Sequence, residues 1–268
     1  MKSLNSLAGI RIPTYKTDKM CPIHHIPMVA THLKQLSEPF CEECLKEDLE
    51  AKKKKLVSDY KVNHIRGFLT HNSLVDDPDI WNCSFKNWNA PKGSKEAGAG
   101  NKAYRVAEQY IKDKQSPMTT VLFGSPGEGK THLAMSILKK VNSESLQKCL
   151  FIDINTLFTN IKRSFDDSTV RWNEYYTVNL IAEADLVVLD DLGSESAMQQ
   201  TTYREASDFK QEILKEILDR QKRLIITTNL SFNQLKQVYN AKLFSRLLSH
   251  SEGRRIDFEG IKDKRLYD

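Results

Sequence analysis

From about residue 102 onward the apolar positions fall into two alternating patterns. Over Lys102–Asp113, and again from Lys130 to about Val141, apolar side chains recur at helical spacing, which predicts helices with one buried face. Between and after these helices stand Thr119–Phe123, Cys149–Ile154, Leu186–Leu189 and Leu224–Thr228, short runs that are apolar or β-branched almost throughout. Such runs, separated by helical lengths, predict strands buried on both faces. The expected fold is α/β, a parallel sheet flanked by helices.

The segment 1–60 differs. It holds few large apolar side chains, and Leu45–Tyr60 reads as a charged helix carrying the run Lys52–Lys55, a solvated face or a contact for nucleic acid. Residues 61–84 are polar and mixed, broken at Asp76-Asp77-Pro78, and are expected to connect a small module (1–60) to a large domain (85–268). The length of 268 residues suits one sizeable domain plus such a module.

Composition narrows the class. A hydrophobic share of 40% supports a packed core and excludes a disordered chain. The longest apolar runs fall far short of the roughly 20 residues that cross a bilayer. The start MKSLNSLAGIRIPTYK has no long apolar stretch, so no secretory signal is expected and the chain reads as cytoplasmic, with no membrane partner. Lys and Arg total 40 against 35 Asp and Glu, a net charge of +5 that permits nucleic-acid contact without requiring it.

Gly124-Ser125-Pro126-Gly127-Glu128-Gly129-Lys130-Thr131 fits G-x-x-x-x-G-K-[ST] between a predicted strand and a predicted helix. A loop of this kind wraps phosphates with backbone N–H groups, which demands glycine where a Cβ would block the approach or φ is positive. Lys130 is then expected to neutralise the β- and γ-phosphates, and Thr131 to place its hydroxyl on Mg²⁺ at the positive end of a helix. Glu128, an anion beside phosphates, is expected to point away from them. Leu186–Asp191 brings acid to a strand end: Asp190 to hold Mg²⁺ through its water shell, Asp191 to orient or activate the attacking water. Thr227-Thr228-Asn229 ends a third strand, which directs the Asn229 amide toward the γ-phosphate and the water.

Together these motifs resemble an AAA+ ATPase. Gly127-Glu128-Gly129-Lys130-Thr131-His132-Leu133-Ala134, Val188-Leu189-Asp190-Asp191-Leu192-Gly193, Ile226-Thr227-Thr228-Asn229 and Ser245-Arg246-Leu247 are similar to the DnaC/DnaI group of replicative helicase loaders. The wider group includes the transposition ATPase IstB, and the resemblance runs from about Phe85 to the C-terminus. It implies ATP with Mg²⁺ as the bound nucleotide, contacted by Gly124 through Thr131 and by His132. It also implies that Arg246 acts as an arginine finger on a neighbouring subunit's nucleotide, hence self-association; an ion pair on a helix surface is the alternative for this side chain. A finger is worth roughly 10³–10⁵ in rate, so a monomer is expected to hydrolyse ATP poorly. Most AAA+ proteins carry Asp-Glu where this chain has Asp190-Asp191, the pairing usual in the loader group, and the shorter base implies slow or partner-stimulated hydrolysis. Only about 40 residues follow Asn229, so no helical lid is expected, and Arg254, Arg255 or Arg265 stands as the second sensor.

Cys21-Pro22-Ile23-His24 and Cys41-Glu42-Glu43-Cys44 form Cys-x₂-His and Cys-x₂-Cys pairs with ligand spacing of the Cys₃His kind. Cys21, His24, Cys41 and Cys44 are expected to bind Zn²⁺, with His25 as the alternative to His24 and ordinary free thiols as the alternative to a metal site. Zinc binding, worth about 10–16 kcal/mol, would fold a module otherwise too small to be stable. Cys83 and Cys149 are isolated and read as structural. A zinc region ahead of an AAA+ domain is similar to DnaI, in which that region contacts the ring helicase.

Lys162, Arg163 and Phe165, followed by Trp172, Tyr175 and Tyr176, lie where related initiators and loaders insert a helical element that binds single-stranded DNA. The cations would meet phosphates and Phe165 would stack on a base; an exposed helix with its aromatics packed on the sheet is the alternative. Phe85 and Trp88 suit either adenine contact or core packing. The whole reads as a bacterial or phage-encoded, ATP-dependent loader that binds a hexameric replicative helicase and helps place it on single-stranded DNA. The alternatives are an IstB-like transposition ATPase and a non-hydrolysing ATP-binding adaptor.

Overall fold

The computed structural model describes residues 13–32, 38–194, 198–199, 202–203 and 206–263. The chain divides into two compact units, Met1–Asn63 and His64–Asp268. In the first, β1 (Thr14–Met20) and β2 (Pro27–Thr31) form an antiparallel hairpin. Val29 and Phe40 then exchange backbone hydrogen bonds of 2.8 Å, which returns the chain to the hairpin just before α1 (Glu42–Asn72). Glu42 and Glu43 meet the positive end of this helix. The helix continues to Asn72 instead of ending near Tyr60, because the Asp76-Asp77-Pro78 breaker lies beyond it and Gly67 alone is tolerated. Much of the expected connector is therefore helical, and the last turns belong to the second unit, where Phe68 and Leu69 are buried.

The second unit is built on a five-stranded parallel sheet in the order β4–β5–β8–β3–β9. Its strands are β3 (Met118–Phe123), β4 (Cys149–Asp153), β5 (Leu186–Asp190), β8 (Arg223–Thr228) and β9 (Arg255–Asp257); the two-residue β6 (Met198–Gln199) and β7 (Thr202–Tyr203) pair separately. The four predicted strands are all present, with ends within one residue of expectation. β9 was not predicted; with Ile256 as its sole apolar residue it gives no periodic signal, and its pairing to β3 defines it.

Successive side chains on these strands enter two different cores. Phe151, Leu186, Val188 and Ile225 pack with α2 (Lys95–Lys112) and α3 (Lys130–Ser145). Leu150, Ile152, Val187 and Leu189 pack with α4 (Ile154–Arg163), α5 (Glu174–Glu183), α6 (Asp208–Arg220), α7 (Phe232–Val238) and α8 (Ala241–Leu247). Both faces are thus dry, as the unbroken apolar runs require. α2 starts well before Lys102, capped by Ser94, whose hydroxyl accepts from the Ala97 N–H. No helix among the described residues is long and apolar enough to cross a membrane.

At the amino ends of the strands sits a buried polar knot. Arg223 donates to the carbonyls of Asp185 (3.0 Å), Ser116 (3.1 Å) and Tyr110 (3.1 Å) and to Gln147 Oε1 (3.0 Å). The Tyr110 hydroxyl donates to the Leu224 carbonyl at 2.7 Å and lies 3.0 Å from Thr120 Oγ1. These bonds tie β3, β8 and the entry to β5 onto α2, leaving the carboxyl ends of the strands to the loops. Tyr110→Phe removes a buried hydroxyl that bonds the Leu224 carbonyl and Thr120 and is expected to lower stability by about 0.5–1.5 kcal/mol in urea unfolding, with nucleotide binding unchanged.

Candidate functional site

The phosphate loop leaves β3 at Phe123 and enters α3 at Lys130. Gly127 and Gly129 have φ of +79° and +89°, the left-handed region that favours glycine. Space is equally restrictive: a Cβ on Gly129 would lie 2.5 Å from the Trp88 ring, and one on Gly127 would lie 1.9 Å from Asp263 Oδ1. Lys130 Nζ donates to the Gly124 (2.9 Å) and Ser125 (2.6 Å) carbonyls, so the loop is curled around the ammonium. Glu128 is 3% exposed, its Oε2 is buried without a hydrogen-bond partner among the described residues, and burial pushes its carboxyl up; a Cβ on Gly124 would meet Phe258 and the Glu259 backbone. The segment that follows β9 thus lies against the loop; it is further held by Lys95, which bonds the Glu259 carbonyl and pairs with Asp257.

The acidic residues stand at the carboxyl end of β5. Asp190 Oδ2 accepts from Thr131 Oγ1 at 3.2 Å and Oδ1 accepts from Thr227 Oγ1 at 2.6 Å, so residues expected from three separate motifs meet at one carboxyl. Burial pushes that carboxyl up to about 7, against its two hydroxyl donors, and the charges of Asp153 and Asp191 push the same way. A cation opposite Asp190 would favour its ionised form. The turn after the strand places Asp191 at φ +58°, with its N–H donating to Thr227 Oγ1 at 2.8 Å. Its carboxylate accepts from Asn229 Nδ2 at 2.6 Å and from Asn155 Nδ2 at 3.4 Å. Asn155 was missed. It lies in the first turn of α4 directly after β4, so the strand-end rule that picked out Asn229 applies to it as well.

Other expected residues lie elsewhere. His132 Nε2 is 3.0 Å from the Ser84 carbonyl and its ring stands 5.3 Å from Trp88, so it braces the segment ahead of α2. Trp88 is wedged between Gly100 and Gly129, while Phe85 meets Tyr104 edge-on at 5.3 Å; both pack on the α2–α3 core, which is the packing alternative for this pair. Arg246 on α8 pairs with Asp219 at 3.1 Å, the helix-surface ion pair weighed against a finger. Arg254 donates to Gln109 Oε1, and Arg255 lies over the Phe232 ring at 5.2 Å. Arg265 is outside the described residues. Lys162 and Arg163 end α4, and Phe165 beyond them is 64% exposed, edge-on to Phe209 at 5.5 Å. Phe209, 56 residues beyond Asp153 in sequence, was invisible before folding.

In the first unit Cys21, His24, Cys41 and Cys44 converge, their ligand atoms all within 4.8 Å of one another. His24 Nδ1 lies 3.3 Å from Cys44 Sγ, 3.6 Å from Cys41 Sγ and 3.8 Å from Cys21 Sγ. Those are the edges of a tetrahedron whose centre is about 2.0–2.3 Å from each ligand, the size and the N/S donor set that suit zinc. His24 is the histidine in the cluster; His25, at φ +52°, closes the turn by donating its N–H to the Cys21 carbonyl. The His24 N–H draws the Cys21 thiol down to about 6, and Cys21 followed by Glu47 holds the His24 ring up to about 9. Cys149 is buried within β4 and Cys83 is half-buried, both outside the cluster.

The family described as IstB-like ATP binding protein matches residues 105–265. Among solved structures, the chain is similar to the DnaC helicase loader, with a TM-score of 0.54 and 22% identity over 69% of this chain and 100% of that one. It is also similar to DnaI, with a TM-score of 0.55 and 20% identity over 75% of this chain and 99% of that one. These likenesses establish an AAA+ fold. YqaM of Bacillus subtilis strain 168, an uncharacterized protein, is 23% identical over 148 residues, 52% of this chain. The chain spans 44% of the length of that curated relative. Gly129→Ala, which drives a methyl group into Trp88 and strains φ, is expected to weaken ATP binding at least about tenfold in calorimetry.

Proposed function

Because the chain belongs to the family of IstB-like ATP-binding proteins, we propose that it is an ATP-hydrolysing loader that binds a hexameric replicative helicase and helps place it on single-stranded DNA. The observation that carries this reading is the four-ligand Cys₃His cluster, held in a unit of its own ahead of the ATP-binding unit. An adaptor unit of that kind suits a protein that grips a partner with one part and switches with the other.

In this reading Lys130 leaves the Gly124 and Ser125 carbonyls to neutralise the β- and γ-phosphates, and the loop amides and the start of α3 cradle them. Thr131 and Asp190, already joined, hold Mg²⁺, which supplies charge neutralisation for phosphoryl transfer. Asp191 orients the attacking water, and Asn229 and Asn155 fix the direction of its carboxylate. Turnover by the lone chain is slow in this reading, with Arg246 of a second copy as the accelerating cation. Lys162, Arg163 and Phe165, with Phe209 beside it, form the surface for single-stranded DNA.

The deciding measurement is co-sedimentation of the full chain with a hexameric replicative helicase, with ATP present. Stoichiometric binding is expected; failure to bind any such helicase, with capture of a transposase instead, overturns the loader in favour of the transposition ATPase that the family also contains. Elemental analysis is expected to give about one zinc per chain. Cys41→Ser should lose both zinc and helicase while ATP affinity stays within about twofold. Zinc near zero in the purified chain, with helicase binding intact, removes the metal from this reading. Lys130→Ala is expected to lower hydrolysis at least about a hundredfold.

A further inference from the structure

Arg246 is already engaged within its own chain. Its Nη2 lies 3.1 Å from Asp219 Oδ1, in the last turn of α6, with side-chain exposures of 30% and 42%. Its Nη1 is buried and has no hydrogen-bond partner among the described residues. The pairing is therefore incomplete. A guanidinium presents a fork of N–H donors matched to two acceptor oxygens at once, and here a single carboxylate oxygen meets one nitrogen while another is left dry. A depression of about 280 Å³ beside it, lined by Lys215, Asn240 and Lys242 among others, leaves the side chain room to depart without disturbing the core.

We propose that Asp219 is a positioning residue that parks Arg246 in the unassembled chain. The γ-phosphate of ATP on a second copy competes with Asp219 for the same guanidinium. The proposal rests on the arginine-finger reading given above and adds its regulation: the finger is released only when a nucleotide arrives from outside the chain. A phosphate wins because it offers several charged oxygens and so satisfies both nitrogens, which Asp219 does not. The threshold is low, since a partly exposed ion pair holds its partner by no more than about fivefold in equilibrium.

The test is ATP turnover of the full chain as a function of its own concentration. Wild type is expected to rise with concentration as copies meet, and Arg246→Ala to lose that rise. Asp219→Asn should reach half-maximal turnover at up to about fivefold lower concentration, and Asp219→Ala should do the same should the new amide itself hold the guanidinium. Asp219→Glu, which restores the charge, should return the wild-type midpoint; a merely structural role for Asp219 would not move the midpoint in this way. Wild-type midpoints in both neutral variants, with Arg246→Ala still inactive, overturn the parking and leave the finger standing. A rise retained by Arg246→Ala, or absent from wild type, overturns the finger itself.

Discussion

The hydroxyls of Thr131 and Thr227 both donate to the buried carboxyl of Asp190, and this junction fixes the phosphate loop, β5 and β8 to one another. It adds a tie to β5 and β8 to the loop's chain connections through β3 and α3. Asp190 is 6% exposed, the two hydroxyls that donate to its carboxyl are neutral, and burial pushes it up to about 7. A divalent ion at that carboxyl would favour its ionised form, with Thr131 and Asp190 as the residues that would hold it. Thr227 carries the change onward, because its oxygen also accepts the Asp191 N–H. Charge at Asp190 and the aim of Asp191 are thus linked through one hydroxyl.

The opposite end of the sheet has the converse design. Arg223 is a buried cation whose hydrogen bonds run to neutral acceptors, three of them backbone carbonyls, with the Tyr110 ring 5.3 Å away. Those carbonyls belong to Asp185 and Ser116, ahead of β5 and β3, and to Tyr110 near the end of α2, where Gln147 Nε2 also donates, so one side chain joins several elements. Rigid amino ends allow the carboxyl ends to bear strained loops: Gly127, Gly129 and Asp191 all have positive φ within one cluster.

The sheet was legible in the sequence because a parallel strand buried on both faces leaves an unbroken apolar run, and four such runs are there. β9 was not, since a three-residue edge strand is defined by its partner and not by its own pattern. The starts of helices were less legible than their middles: the helical spacing was read only from Lys102, whereas α2 begins at Lys95, and Gly100 within it is small so that Trp88 can lie against it. Thr131, Asp190, Asp191 and Asn229 were readable because each closes a motif at a strand end. Asn155 carries the same mark at β4 without a familiar motif around it, and Phe209 becomes a neighbour of Phe165 only through the packing of α4 and α6.

The first unit poses a different physical problem. Among its described residues only Cys21, Val29, Ala30, Thr31 and Cys41 are buried. Three small or β-branched side chains and two thiols remove little apolar surface from water, far less than ordering a unit of this size requires. The two thiols belong to the ligand cluster, so the centre of the unit is the cluster itself. Hydrophobic burial does not explain why Cys21, His24, Cys41 and Cys44 should converge, and as free groups they would set three thiols and a ring against one another. A cation held by all four would supply stabilisation at the place where hydrophobic burial does not. Leu56 and Tyr60 on α1 are exposed and add nothing to the buried surface of the unit.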